Sequence, residues 1–426
     1  MTRLVGPFVS VLLVLAAGCS AVTPTRSDSR VPDAASERQL LVMVIERPIR
    51  HYRPGASVLS AYGPSASRAR TLRVARDLAR DYGLNPVSDW PMPALGVRCF
   101  LMELPPGQSA QEVAGRLAAD PRVESAQPQH VFRVAAHDVP PGMLETGARA
   151  LELDALHRMA TGKNVTVAQI DTGVDTQHPD LHGQFAAERN FVDGVRLPPE
   201  VHGTAVAGII VAKPDKRVGI VGVAPGARLL VLRACWEPAD GAGLCTSFAL
   251  AKAIQFALIE HVQVLNLSLT GPHDGLLERL LDKAVQDRVI VVGASSSNAS
   301  NFPAAHPGVI AVAASGLPSP PDGAVLAPGR DILTTAPDAS WGFFSGASFA
   351  AAYVSGLTAL MLERSPRIAP ASVRALLMQN HAAGTGSEPV LDACAALADA
   401  APERDCDCCT RASARGPRGR ARTPTS

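Results

Sequence analysis

The chain has 426 residues, 47% hydrophobic and 19% charged, with a formal net charge of +1. That length exceeds the usual size of one domain and supplies a large core, which excludes a wholly disordered or fibrous chain. Near-neutral charge gives no electrostatic reason for a nucleic-acid partner, and aromatics at 4% leave the core to Val, Leu, Ile and Ala.

Arg3 and the apolar run Leu4 to Ala17 mark residues 1–18 as a secretory signal, too short for a membrane-spanning helix. The run ends in Leu15-Ala16-Ala17-Gly18-Cys19-Ser20, which resembles a bacterial lipoprotein cleavage box. The resemblance implies lipidation of Cys19, export across the bacterial inner membrane, and anchoring on a periplasmic or outer-membrane surface. Residues 19–38, rich in Ser, Thr, Pro, Asp and Arg, read as a flexible tether.

On such a route the eight cysteines are candidate disulfide formers. Cys235 and Cys245 flank a Pro/Gly-rich loop and are expected to close it. Cys99, Cys394, Cys406, Cys408 and Cys409 show no clear pairing. Cys406-x-Cys408-Cys409 lacks a second cluster at ligand spacing, so no metal is assigned to it.

Residues 39–136 read as a compact first unit. Leu40 to Ile45 and Val97 to Leu104 are apolar strands, and Arg68 to Tyr82 carries Leu72, Ala75, Leu78, Ala79 and Tyr82 at helical spacing. Ser109 is expected to cap a helix containing Val113 and Leu117 that Pro121 ends, and Val123 to Ala126 reads as a further strand. The order β-α-β-α-β leaves room for a split βαβ arrangement. This pattern, with Pro121-Arg122-Val123-Glu124-Ser125-Ala126-Gln127-Pro128 before the next domain, resembles the propeptide of subtilisin-like proteases. The resemblance implies a folding template and inhibitor whose end lies in the active cleft. A cut is expected within Val131 to Pro141, where the chain becomes rich in Pro and Ala.

From residue 140 to 398, short apolar runs alternate with helix-length segments. Strands are expected at Val165–Ile170, Leu229–Leu232, Val262–Leu269, Val289–Val292 and Val309–Ala313. Helices are expected at Thr204–Val211, Phe248–Ile259, Gly275–Gln286 and Phe349–Leu362. That alternation predicts an α/β fold, a parallel sheet covered on both faces, with functional groups at the carboxyl ends of the strands.

Asp171 follows the first of these strands, His202 opens an apolar helix, and Ser348 sits among small residues at another helix start. A serine hydroxyl needs a base, neutral imidazole supplies one near working pH, and a carboxylate fixes the imidazole tautomer. Gln169-Ile170-Asp171-Thr172-Gly173-Val174, His202-Gly203-Thr204-x-Val206-Ala207-Gly208 and Ser345-Gly346-Ala347-Ser348-Phe349-Ala350-Ala351 resemble the three signature blocks of subtilisin-like serine proteases. Gly222 to Ala227 and Asn266 to Leu269 match further family segments. The resemblance implies a subtilisin-like sheet with helices on both faces, preceded by a small α+β ferredoxin-like propeptide-type domain. It implies a serine endopeptidase acting on proteins and peptides, made as a proenzyme. Asp171, His202 and Ser348 would be its triad, and Ser268, Leu269 and Thr270 a wall of its substrate pocket.

The chain departs from the family pattern at Ala205, Ala347 and Ala352. The oxyanion donor is Asn298 after a one-residue shift, or Ser297 by ungapped counting in Gly293-Ala294-Ser295-Ser296-Ser297-Asn298. Losing one such donor costs about 10²–10³ in turnover, so a catalytically weak or inactive peptide-binding relative is the alternative reading. Asp180 matches a frequent calcium ligand of the family, but the companion loop Lys213 to Arg217 adds only Asp215, and no metal site is claimed. Residues 399–426, rich in Arg, Ala and Pro, read as a disordered basic tail.

Overall fold

The computed structural model describes residues 37–46, 66–134, 153–192, 197–213, 219–239, 242–295, 301–316, 321–383 and 389–401. The signal segment, Cys19, most of the tether, residues 135–152, Asp215, Ser297, Asn298 and the tail from residue 402, with Cys406, Cys408 and Cys409, lie outside them.

Strand β1 (Gln39–Ile45) is apolar without alternation because both of its faces are covered. Leu40, Val42 and Val44 face helices α1 (Ala66–Tyr82) and α2 (Ala110–Ala118), in a core with Leu78, Val113 and Leu117. Leu41 and Met43 face the other way, into a core shared with Ala168, Leu230, Phe256 and Leu265. With β2 (Asn85–Met92), β3 (Val97–Glu103) and β4 (Ser125–Pro128), β1 forms an antiparallel sheet of order β2-β3-β1-β4. The chain order β-α-β-β-α-β is the split βαβ arrangement. Within this sheet β2 is missed by sequence patterning: it contains Pro86 and Pro91, which an edge strand tolerates. β4 starts two residues later than expected, because the Val123 amide closes a turn on the Asp120 carbonyl, 2.9 Å away.

The next strand, β5 (Val131–Val134), leaves this sheet and is described with the site. Helix α3 (Leu153–Met159) leads into β6 (Thr166–Asp171), an interior strand of a seven-stranded sheet. Its other strands are β7 (Phe185–Asn190), β8 (Arg228–Arg233), β11 (Val264–Leu267), β13 (Ile290–Ala294), β14 (Val309–Ala314) and β15 (Val325–Ala327). The order is β15-β14-β13-β11-β6-β8-β7, and every pairing is parallel. Helices α4 (Val201–Val211) and α7 (Ala347–Arg364) cover one face, meeting Val167, Val264, Val292 and Val312. Helices α5 (Ser247–Ile259) and α6 (Gly275–Gln286) cover the other, meeting Ala168, Ile170, Leu265 and Val291. Consecutive residues of each strand thus enter opposite cores, as parallel strands buried on both sides require. From β6 the chain builds β7 and β8 on one side and β11, β13, β14 and β15 on the other, so a crevice opens at the carboxyl ends of β6 and β11.

Candidate active site

Asp171 is the last residue of β6 and 1% exposed. His202 is the second residue of α4, and its Nδ1 lies 2.7 Å from Asp171 Oδ1. A ring nitrogen against a carboxylate carries the proton, which leaves Nε2 as the acceptor. Nε2 is buried and has no hydrogen-bond partner among the described residues. The close approach of α4 to β6 depends on Gly203: a Cβ there would stand 2.5 Å from the Thr172 carbonyl oxygen and 2.6 Å from that of Gly173.

Ser348 is the second residue of α7 and fully buried. Gly346, the N-cap, has φ of 147°, which an L side chain rarely adopts, and its amide is held by the Gly329 carbonyl at 2.7 Å. Phe349 packs on the His202 ring at 5.4 Å between centroids, which brings the start of α7 to the imidazole. Ser348 Oγ donates to the Ser268 carbonyl at 3.0 Å, and Ser268 Oγ donates back to the Ser348 carbonyl at 3.0 Å. Asn266 Nδ2 supports Ser268 Oγ at 2.9 Å, and Ser355 Oγ supports Asn266 at 2.8 Å.

A second, four-stranded sheet of order β12-β5-β10-β9 lies beside these residues. β9 is Cys235–Trp236, β10 is Leu244–Thr246 and β12 is Leu269–Thr270. β5, from the N-terminal unit, is seated antiparallel between β10 and β12. Phe132 on β5 is fully buried, 6.4 Å from the Phe302 ring and against Gly271, where a Cβ would strike it. The Val134 amide donates to the Gly243 carbonyl at 2.9 Å. A Cβ on Gly243 would lie within 2.9 Å of Val134 and 3.1 Å of Thr172, so the strand runs toward Asp171. Behind β5, His130 Nδ1 meets Asp274 Oδ2 at 2.8 Å and Arg279 meets Glu124 at 2.9 Å. Burial alone would raise the Asp274 carboxyl, but hydrogen bonds from His130, Ser247, Gln127 and the Leu277 amide hold it below the usual carboxylate range.

Cys235 and Cys245 stand opposite one another in β9 and β10 and form a disulfide, Cα to Cα 4.2 Å. The bond ties the segment after β8 to one wall of the cleft. Cys235→Ser/Cys245→Ser is expected to lose about 2–3 kcal/mol of stability, the loop-closure value for so short a loop. Thermal unfolding without reductant measures that loss. KM for peptides is expected to rise in the same variant, because β10 supplies the backbone groups that β5 uses.

Sequence patterning missed a polar cluster at the foot of α4. Arg233, 7% exposed at its side chain, donates to Glu200 through Nε at 2.8 Å and through a second nitrogen at 3.0 Å. Glu200 also accepts the Gly173 amide and, at 3.0 Å, the Glu237 amide. Glu200 was visible two positions before His202, but nothing local links it to Arg233 or Glu237. Asp180 Oδ2 accepts the Ile220 amide at 2.9 Å and Trp341 Nε1 at 2.8 Å. N–H donors thus engage one oxygen of this carboxylate, and no group of three His, Cys, Asp or Glu side chains suited to a metal occurs among the described residues.

The sequence model of the Subtilase family matches residues 162–396. Subtilisin NAT of Bacillus subtilis subsp. natto is 33% identical over 285 residues, covering 62% of this chain and 71% of that protein. Fervidolysin of Fervidobacterium pennivorans is 34% identical over 261 residues, 51% of this chain and 37% of that protein. The crystal structure of fervidolysin, described as a keratinolytic enzyme related to subtilisin, superposes with a TM-score of 0.63 at 25% identity. That superposition covers 85% of this chain and 61% of the fervidolysin chain.

Proposed function

The chain belongs to the subtilase family of serine endopeptidases, and from that premise we propose that Asp171, His202 and Ser348 hydrolyse peptide bonds in an exported, lipid-anchored enzyme made as a proenzyme. The observation that carries the reading is the 2.7 Å contact of His202 with buried Asp171, with Nε2 left unpartnered beside the helix start that bears Ser348.

In this mechanism Ser348 Oγ turns from the Ser268 carbonyl to His202 Nε2, which takes its proton as the oxygen attacks the substrate carbonyl. Asp171 holds Nδ1–H and stabilises the imidazolium. The imidazolium then protonates the leaving amine, and water releases the acyl group by the reverse proton path. The open amides at the start of α7 suit the developing oxyanion, with the side chain of Asn298, or of Ser297, as the second donor.

The seating of β5 between β10 and β12 supports the proenzyme part of the reading: the N-terminal unit lays its own chain where an extended substrate would lie. Since the Val134 amide is held by Gly243, which also adjoins Thr172 next to Asp171, the expected cut follows β5, inside the window Val131 to Pro141 read from the sequence. Export and the Cys19 anchor rest on the N-terminal sequence alone.

A peptidyl phosphonate directed at serine hydrolases is expected to label wild type once per chain, with the adduct on Ser348 by peptide mapping. Absence of labelling in a processed protein that also fails on peptide substrates would sink the triad assignment.

A further inference from the structure

We propose that Glu237 is a positioning residue for His202: its carboxylate clamps the first turn of α4 and so holds the imidazole against Asp171. This rests on the reading of His202 as the general base. A helix start presents amides with no partner inside the helix, and its dipole favours an anion there. The local residue that would cap α4 is Glu200, yet its side chain makes no capping bond, being committed to Arg233, Gly173 and the Glu237 amide. Glu237, 35 positions away in the chain, caps the helix in its place: one oxygen takes the His202 amide at 2.6 Å and the other takes the Val201 amide at 3.0 Å.

The same carboxylate is linked to the strand that bears Asp171. Thr172 Oγ1 accepts the Gly203 amide at 2.9 Å and lies 3.5 Å from Glu237 Oε1. One anion therefore stands between the end of β6 and the start of α4, the two elements whose relative placement sets the 2.7 Å contact. Among the described residues the Glu237 carboxylate bonds backbone amides and Thr172 Oγ1, not the imidazole ring or Ser348, so it acts through backbone geometry. Helix ends fray first, and His202 lies in the first turn. Without the clamp, the amides of Val201 and His202 lose their acceptors and the ring loses its fixed base. A shift of about 1 Å at a reacting group costs on the order of 10²-fold in rate.

The test compares wild type, Glu237→Ala and Glu237→Gln in the full chain after self-processing. Turnover is expressed per site titrated with the serine-directed phosphonate, so that unfolded protein does not count. Glu237→Ala is expected to lower kcat per titrated site about 10- to 100-fold while KM stays within about twofold. Glu237→Gln, whose amide oxygen can still accept one of the two N–H groups, is expected to recover a part of that loss. A kcat per site equal to wild type in Glu237→Ala overturns the proposal. So does a raised KM with unchanged kcat, which would assign Glu237 to the cleft hairpin instead. Should Glu237→Ala fail to fold, Glu237→Gln decides: a fall of threefold or more in kcat per site supports the clamp, and equality with wild type rejects it. If wild type itself neither labels nor turns over, the fault lies in the triad assignment, and the clamp falls with it.

Discussion

Replacing Ser348 by Ala is expected to leave the chain in one piece, whereas wild type expressed from residue 20 appears as two fragments. Intact mass is expected to place the wild-type cut after β5, within Val131 to Pro141. The variant keeps the fold, since Ser348 gives up only its bond to the Ser268 carbonyl at 3.0 Å and the α7 backbone is untouched. Hydrolysis of added peptides is expected to fall on the order of 10⁶-fold, because no other group supplies the nucleophile. Both results come from one cause, and they separate its parts. A cut in the variant as well as in wild type points to a foreign protease. An uncut wild type that still hydrolyses peptides means that β5 is displaced without being cleaved.

Arg233→Met is expected to give the largest stability loss of any single change near the site. Arg233 ends β8, and its guanidinium makes two bonds to Glu200, both side chains being nearly buried. Removing it strands a carboxylate that has lost its counter-charge, and breaking such a pair costs about 3–5 kcal/mol. For a domain of this size that corresponds to a fall of roughly 10 °C in Tm, read by thermal unfolding in the Ser348→Ala background to prevent autolysis. The double change Arg233→Met/Glu200→Gln is expected to recover a part of the loss, since it removes the stranded charge. Equal losses in the single and double variants would mean that Arg233 acts by packing and not by pairing.

The local patterns that were legible in the chain share a feature: each is dictated within a few residues. Asp171 ends an apolar strand, His202 precedes a glycine that permits close approach, and Ser348 follows Gly346 in a conformation suited to glycine. The parallel sheet was legible because strands buried on both faces must be apolar throughout. β2 escaped because edge position, not composition, permits its prolines. β5 escaped because four residues are too few to show a period, and its partners β10 and β12 are more than 100 residues further on.

The chain alone therefore determined the α/β class, the alternation that covers the sheet on both sides, and the three blocks that carry the family. Those follow from local propensity, burial periodicity and glycine geometry, all of which act over one turn or one strand. Tertiary structure alone decided that Glu200 is paired with Arg233, that Glu237 caps the helix of His202, and that residues 131–134 form a strand seated between β10 and β12. A charge or a short strand acquires its role from the partner it meets, and the partner's position is set by packing of distant elements.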